Sequence, residues 1–357
     1  MSTPALDLQH VAVVILNYNT RHLLEDFLPL VLQHSGNARV VVAANNSADG
    51  SAELVKSRFP QVQLVRIPDN LGFCAGYNYA LARVNCDFYV LLNSDVEVTP
   101  GWLYPLVALL TLRPDVAACQ PKIKAWHRKD TFEYAGAAGG LIDLLGYPFA
   151  RGRLFNLLET DHGQYDDETE IFWATGACMC IRARLYHEFN GLDESFFAHM
   201  EEIDLCWRLK NAGHRIFYTG KSTVYHVGGG TLASQHPRKI FYNFRNGLYL
   251  LTKNLPAGVL LPTLFARMLL DGVAALRFLL QDRDAANFAA VLRAHMAWYC
   301  NLPALLKKRR VNTKKAPLSV RHTGMYRGSV VKEFFASKHK TVAGFYKMPS
   351  SQHTTNR

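Results

Sequence analysis

Val90-Leu91-Leu92-Asn93-Ser94-Asp95-Val96-Glu97-Val98 is the stretch on which the reading of this chain turns. An apolar run ends and at once offers Asn93, Asp95 and Glu97 on alternate positions. A continuous apolar run over residues 88–92 is what a parallel strand buried on both faces requires. In an open α/β sheet the carboxyl end of such a strand faces the ligand crevice. A carboxylate there can hold a divalent cation, and the cation can hold a diphosphate. A strand that stops at Asp is also ordinary turn or helix-cap chemistry, so the surroundings decide.

Upstream, apolar runs at 11–16, 40–43 and 62–67 alternate with segments of helical spacing at 22–33, 52–58 and 75–83. Asp49 or Ser51 can cap the second of these helices. Downstream come a helix over 102–112 and a strand near 116–120. This alternation predicts a doubly wound, mostly parallel sheet, an architecture that commonly binds a nucleotide. From 124 to 169 the pattern weakens, interrupted by Gly136, Gly139, Gly140, Gly146 and Gly152, and residues 161–170 are acidic and loop-like. Order returns with the apolar run 172–181, a helix near 183–189, and a helix over 201–212 closed by Gly213. Short strands are expected at 215–218 and 223–226, before Gly228-Gly229-Gly230.

The 357 residues are 49% hydrophobic and 11% aromatic, which excludes a disordered chain. The net charge of +11 is an uneven average, because residues 301–357 hold 13 of the 40 Lys and Arg and one acid, Glu333. The body is close to neutral and the basic run carries no interleaved aromatics, so a nucleic-acid partner is not expected. Seven cysteines without a C-x-x-C pair read as reduced, mostly buried thiols of a cytoplasmic protein. Residues 1–7 carry neither a basic nor an apolar segment of a secretion signal. Residues 259–280 are mostly apolar, but Pro262, Arg267, Asp271 and Arg277 interrupt them. With the amphipathic stretch 288–306 and the run Lys307-Lys308-Arg309-Arg310, they fit helices lying on an anionic membrane surface. A soluble helical cap with a solvated basic tail has the same pattern. The expected division is a catalytic domain over 1–255, an amphipathic helical extension over 256–310, and a basic, flexible tail over 311–357.

Seven segments in one order carry a resemblance. They are Val14-Ile15-Leu16-Asn17-Tyr18-Asn19, Asn45-Asn46-Ser47-Ala48-Asp49-Gly50-Ser51, Asn70-Leu71-Gly72-Phe73-Cys74-Ala75-Gly76, Leu92-Asn93-Ser94-Asp95, Thr175-Gly176-Ala177, His199-Met200-Glu201-Glu202-Ile203-Asp204 and His226-Val227-Gly228. Over roughly residues 10–255 the chain resembles a family 2 glycosyltransferase of GT-A fold, of the bacterial rhamnosyltransferase-like kind.

That resemblance implies an inverting, metal-dependent enzyme. It would move a hexose or deoxyhexose from a UDP-, dTDP- or GDP-sugar to a cell-surface glycan acceptor carried on a polyisoprenoid lipid. The expected location is peripheral, on the cytoplasmic inner face of the cell membrane. Asp95 and His226 are the implied metal ligands, a carboxylate and imidazole pair that suits Mn²⁺, with Mg²⁺ the alternative. Glycines 228–230 would let backbone N–H groups approach phosphate. The base falls to Glu202, with Glu201 as runner-up, and Asp204 has a structural role. Where the family usually writes Glu-Asp-x-Asp, this chain has Glu201-Glu202-Ile203-Asp204. Asn17, Asn19, Asn45, Asp49, Gly72, Gly76, Asn93 and Arg245 are expected around the donor, and Tyr77 to line or stack on it. A second departure is Ala44, where the family's second strand normally ends in an Asp that reads the nucleoside. A degenerate sugar-nucleotide-binding or scaffold protein is the competing expectation.

Overall fold

The computed structural model describes residues 7–228 and 236–347. Strands and helices β1 (Val11–Asn17), α1 (Arg21–His34), β2 (Arg39–Asn45), α2 (Ser51–Arg58), β3 (Gln63–Ile67), α3 (Gly72–Leu81) and β4 (Phe88–Asn93) alternate without interruption. A short β5 (Val96–Val98), α4 (Leu103–Leu112) and β6 (Val116–Ala125) follow. Four short strands come next: β7 (Gly140–Asp143), β8 (Pro148–Ala150), β9 (Arg153–Leu154) and β10 (Leu157–Leu158). The chain then makes β11 (Glu168–Ile171), β12 (Cys178–Arg182), α5 (Ala183–Glu188), α6 (Glu201–Asn211) and β13 (Arg215–His226). It ends with α7 (Pro237–Asn254), α8 (Ala257–Leu280), α9 (Ala285–Lys315), β14 (Met325–Tyr326) and α10 (Val330–Phe335).

The main sheet has the order β11-β13-β6-β12-β4-β1-β2-β3, with β5 paired to β13. Strands β1 to β4 pair in parallel, whereas β12 lies antiparallel between β4 and β6. Both faces of the sheet are covered. Ala12, Val14, Val41 and Ala43 face the layer holding α3 and α6. Val11, Val13, Ile15, Val40 and Val42 face the layer of α1, α2 and α4. Burial on both faces is why these strands read as unbroken apolar runs rather than as alternations. The expected pair of strands at 215–218 and 223–226 is one strand, β13, whose register with β6 shifts between Thr219 and Thr223.

The weakly patterned stretch after β6 is not plain loop. Strands β7 to β10 form an antiparallel meander in a second sheet, to whose free edge β14 adds in parallel. Gly140 is a requirement of this layer, since a Cβ there would lie 2.1 Å from the Trp173 ring. Its small core joins Leu141, Phe149 and Leu154 to Val330 and Val342.

The flexible tail expected from residue 311 is therefore corrected as far as residue 347. Helix α9 continues to Lys315, and the following residues close the second sheet. Residues 348–357 lie outside the described residues. The basic run is also divided. Lys308 is paired with Asp193, Arg309 donates to the Thr252 carbonyl at 2.9 Å, and Lys315 donates to the Glu188 carbonyl. Lys307, Arg310 and Lys314 stay exposed. All seven cysteines are free thiols, five of them buried.

Candidate active site

The carboxyl ends of β1, β2, β4 and β13 lie along one edge of the main sheet, together with the start of β12 and the N-terminus of α6. At its centre, β4 ends at Asn93, whose N–H donates to the Ala177 carbonyl at 3.0 Å. The chain then turns so that Asp95 Oδ1 sits 3.1 Å from Nε2 of His226, the last residue of β13. Pairing of His226 with Val96 and the bond from Val227 N–H to the Asp95 carbonyl fix the two segments together. The other ring nitrogen, Nδ1, lies 3.0 Å from Oε2 of Glu133. Asn93 Nδ2 approaches His226 Nε2 at 3.5 Å.

An imidazole gripped by two carboxylates in a buried place has a definite electrostatic consequence. Burial pushes the His226 pKa down, but the hydrogen bonds and charges of Asp95 and Glu133 outweigh it and raise it to about 10. Burial likewise pushes Asp95 and Glu133 up, and His226 brings each below its ordinary carboxylate value. To ligate a cation His226 would have to give up the Nε2 proton it shares with Asp95, keeping the one on Nδ1 toward Glu133; Asp95 and the freed Nε2 would then be a donor set that fits Mn²⁺. Among the described residues no group of three or more His, Cys, Asp or Glu is placed to hold a metal ion, so a cation here would rest on these two side chains. A cation held here would keep coordination positions open for phosphate and water. Gly229 and Gly230 of the expected phosphate-approach run lie outside the described residues. Gly228 is in the left-handed region at φ +67°, and a Cβ there would meet Glu133 Oε1 at 2.7 Å.

The second group of acids lies at the start of α6. Glu201 is buried and Glu202 half-buried, and the Oε2 atom of each is without a hydrogen-bond partner among the described residues. Burial raises the Glu202 pKa to about 7, although the Gly176 N–H and the first N–H groups of the helix pull the other way. Burial, and then the neighbouring Glu202 charge, push Glu201 well above its ordinary value. Unpaired acids in a dry place are costly to keep. Asp204, one turn on, is different. It is fully buried, but Arg208 and Lys253 each approach it at 2.8 Å, and Asn254 donates to it at 2.9 Å.

The loop that delivers Glu201 and Glu202 is held in an unusual shape. Phe197, His199 and Met200 all have positive φ, at 65°, 68° and 70°, a conformation that costs non-glycine residues of order 1–3 kcal/mol each. Asn246 restrains it by donating to the carbonyls of Ala198 and His199 at 2.8 and 2.7 Å. Arg245, expected near the donor, donates to the carbonyls of Ser195 and Phe196 at 3.0 and 2.8 Å. Phe197 stacks on Tyr242, and its ring lies 2.8 Å from where a Cβ of Gly72 would be. Gly72, at φ +73°, is therefore needed both for its backbone and for the approach of this loop.

The remaining donor-site candidates line the same edge, with most of their polar atoms engaged. Asn17 Nδ2 donates to Ser51 Oγ at 2.8 Å and to Ser47 Oγ at 3.2 Å. Asn19 accepts from the Ala48 N–H at 2.9 Å. Asn45 donates to Asn70 Oδ1 and to the Gly72 carbonyl, both at 3.1 Å, and accepts from the Leu71 N–H. Asp49 accepts from the N–H groups of Arg21 and Ser51 at 2.7 and 3.1 Å, tying the starts of α1 and α2 together. Burial pushes its carboxyl up, and these hydrogen bonds hold it below its ordinary value. Gly76 lets α3 approach β1, where a Cβ would lie 2.9 Å from Leu16. Tyr77, expected to line or stack on the donor, is fully buried and donates to the Leu92 carbonyl at 3.1 Å. That expectation is corrected, because packing beneath the sheet edge takes the ring away from any ligand. Glu97 is engaged by Trp126 Nε1 at 2.7 Å and by Lys129.

Glu133 and Asn246 are the two residues that sequence reasoning did not find. Glu133 lies in the irregular stretch between β6 and β7, and its partner His226 is 93 positions away. No local spacing could announce such a pair. Asn246 sits in Asn243-Phe244-Arg245-Asn246, where the sequence drew attention to its neighbour instead.

Comparison with known proteins bears on the whole arrangement. A family model described as "Glycosyltransferase like family 2" matches residues 9–246. An N-acetylglucosaminyl-diphospho-decaprenol L-rhamnosyltransferase of Mycobacterium tuberculosis is 28% identical over 233 residues, 60% of this chain and 75% of the relative. A low-salt glycan biosynthesis hexosyltransferase of Haloferax volcanii is 27% identical over 209 residues, 57% of this chain and 62% of the relative. Among solved structures, GalNAc-T7 with UDP, GalNAc and Mn²⁺ superposes at TM-score 0.54 and 14% identity, covering 70% of this chain and 49% of that one. S. aureus TarS 1–349 superposes at TM-score 0.51 and 14% identity, covering 85% of this chain and 88% of that one. This chain thus spans about half of the first of these structures and most of the second. Their shared architecture is the GT-A fold, and with the family match over two thirds of its length the chain belongs to glycosyltransferase family 2.

Proposed function

We propose that the chain is an inverting, metal-dependent transferase that moves a hexose or deoxyhexose from a nucleotide sugar to a lipid-linked glycan acceptor. The observation that carries this reading is the meeting, at one sheet edge, of the Asp95–His226 pair with the carboxyl groups of buried Glu201 and half-buried Glu202, each with one oxygen that has no hydrogen-bond partner among the described residues. Asp95 and His226 would hold Mn²⁺, or Mg²⁺ in its place, and that cation would supply positive charge to the departing diphosphate. Glu133 acts as a positioning residue, since its grip on Nδ1 turns Nε2 of His226 toward Asp95.

Glu202 takes the proton of the acceptor hydroxyl, which suits a carboxyl whose pKa is raised to about 7. As the acceptor oxygen bonds to the anomeric carbon, the bond from that carbon to the diphosphate oxygen breaks on the opposite face. One displacement of this kind inverts the configuration. Glu201 lies beside the base, and burial together with the Glu202 charge pushes its carboxyl well above its ordinary value, which favours its neutral form and limits like-charge repulsion there. Arg245 and Asn246 keep the loop before α6 in the shape that delivers Glu202.

The mycobacterial relative's name, with its diphospho-decaprenol acceptor and L-rhamnosyl group, supports a polyisoprenoid-linked acceptor and a deoxyhexose donor. Such an acceptor puts the enzyme on the inner face of the cell membrane, with UDP-, dTDP- and GDP-sugars as the donors to test. A second reading, a weakened sugar-nucleotide-binding module, has one observation in its favour. Ala44 replaces a carboxylate at the end of β2, and Asp49 is already engaged by the N–H groups of Arg21 and Ser51.

The test is calorimetric binding of the three nucleotide-sugar classes, with Mn²⁺ and with chelator, followed by donor turnover. Metal-dependent binding of one class with turnover is the expected result. Binding without turnover favours the weakened module, and no binding by folded protein refutes the transferase reading.

A further inference from the structure

Helix α8 is turned inside out. Its buried positions are Leu264, Arg267, Asp271 and Ala275, so the inward stripe carries its charged pair. Arg267 meets Asp271 at 2.8 Å and donates to the Leu145 carbonyl at 3.0 Å. Tyr147 donates to Asp271 at 3.1 Å, and His295 of α9 lies 3.2 Å from it. This buried network ties α8 to the second sheet on one side and to α9 on the other.

The outward stripe is apolar. Leu261, Phe265, Leu269, Val273, Leu276 and Leu280 are between 52% and 75% exposed. At 3.6 residues per turn they fall within an arc of about 120°. Helix α9 follows after a short turn and repeats the pattern. Ala290, Val291, Ala294 and Trp298 face inward, while Leu292, Met296, Tyr299 and Leu306 are exposed. The two stripes expose on the order of 1,000 Å² of apolar surface, above the few hundred Å² usual for a largest patch on a soluble monomer.

The exposed cations select the occupant. On α9 the outward face passes from Leu306 to Lys307, Arg310 and Lys314, and the helix contains no acid. The one acid of α8, Asp271, is buried and paired. A second copy of this chain seated on the face would bring these like charges together, whereas an anionic lipid surface would neutralise them. Helix α8 is long and apolar enough to cross a membrane, but its inward face is packed on protein along Arg267 and Asp271.

We propose that the α8–α9 hairpin lies in the plane of an anionic bilayer, its apolar stripes in one leaflet and the end of α9 among the headgroups. This deepens, and in its biological orientation rests on, the inner-membrane placement proposed above. It also replaces the expectation that the whole basic run meets lipid, because Lys308, Arg309 and Lys315 are engaged by protein.

The experiment is co-sedimentation of the full chain with phosphatidylcholine vesicles, with and without phosphatidylglycerol, and with no acceptor present. The chain should bind the anionic vesicles. The variant Leu261→Ser/Phe265→Ser/Leu269→Ser should lose at least about 30-fold in partitioning. Lys307→Glu/Arg310→Glu/Lys314→Glu should bind equally poorly to both vesicle types. All these positions are exposed, so thermal melts and metal-dependent nucleotide-sugar binding should match the wild type. Nucleotide binding separates the two ideas, since its loss with vesicle binding retained would sink the transferase reading alone. Unchanged partitioning of the serine variant, or a wild-type dimer that this variant splits and that ignores vesicles, would overturn the hairpin proposal. Insertion in one leaflet also predicts release by detergent with no protease-protected segment, and a protected α8 would show a spanning helix instead.

Discussion

Replacing Glu202 by Gln should make the protein more stable and much less active. Its carboxyl is held at a pKa of about 7 against an ordinary 4.5, with burial as the chief cause. At about 1.4 kcal/mol for each tenfold in proton affinity, ionising it in the folded protein carries a penalty of roughly 3 kcal/mol. The folded state therefore binds more protons than the unfolded chain between pH 4.5 and 7, so stability falls as pH rises through that window. Gln has no proton to lose. Urea unfolding at pH 5 and at pH 8 should show the variant's advantage widening by up to about 3 kcal/mol at the higher pH. Turnover should fall by about 10²–10⁴, with donor binding largely kept, and wild-type kcat/KM should rise with pH toward 7. Glu201→Gln is the control, expected to stabilise as well but to keep turnover within about tenfold. A stability difference that does not change with pH would refute the burial argument. Full activity in Glu202→Gln, with loss in Glu201→Gln, would reverse the assignment of the base.

Asp95→Ala should abolish turnover by removing one of two metal ligands, and calorimetry should find Mn²⁺ binding lost. If Glu202→Gln loses donor binding to the same extent, the division of roles is wrong. Glu133→Gln should lower Mn²⁺ affinity about 10–100-fold, read by the paramagnetic resonance of free Mn²⁺, and should also lower the melting temperature of the metal-free protein, since His226 loses one of its two carboxylate partners. Unchanged affinity would reduce Glu133 to a packing group. Asp204→Asn should cost about 3–5 kcal/mol in urea unfolding, because buried Arg208 would lose its carboxylate and buried Lys253 one of its two, keeping only Asp193. Burial pushes the Asp204 carboxyl up, but Lys253 and Arg208 hold it low. Its contribution is thus present at neutral pH and lost in acid, and a variant matching wild type at pH 7 would contradict this.

The alternation of strands and helices up to β6 is legible in the sequence because the central strands are covered on both faces and so carry nearly continuous apolar runs. Asp95 is legible because it follows the apolar strand β4 by two residues, and His226 because it ends β13 two residues before Gly228, although nothing local says that they meet. The second sheet is not legible. Its strands are two to four residues long, and the partner of Ile142 is Met325. Tyr77 misleads because a tyrosine beside a glycine turn reads equally as a wall of the crevice or as core beneath it. The basic run reads as one unit because composition does not reveal that Asp193 and two backbone carbonyls take up half of it.

The placement of β14 has a consequence for how the chain is made. Asp143 in β7 accepts a hydrogen bond from the Val330 N–H, 187 positions later. At about 5–20 residues per second a ribosome needs roughly 10–40 s to deliver that partner. Throughout that interval the edge of β7 is unpaired, and the apolar hairpin of α8 and α9 is made in its later part. A nascent chain docked on lipid at that stage would be sheltered from strand-to-strand aggregation. A stop codon shortly after α9 would therefore do its damage far upstream, by leaving Gly140–Asp143 permanently open to pairing with another molecule.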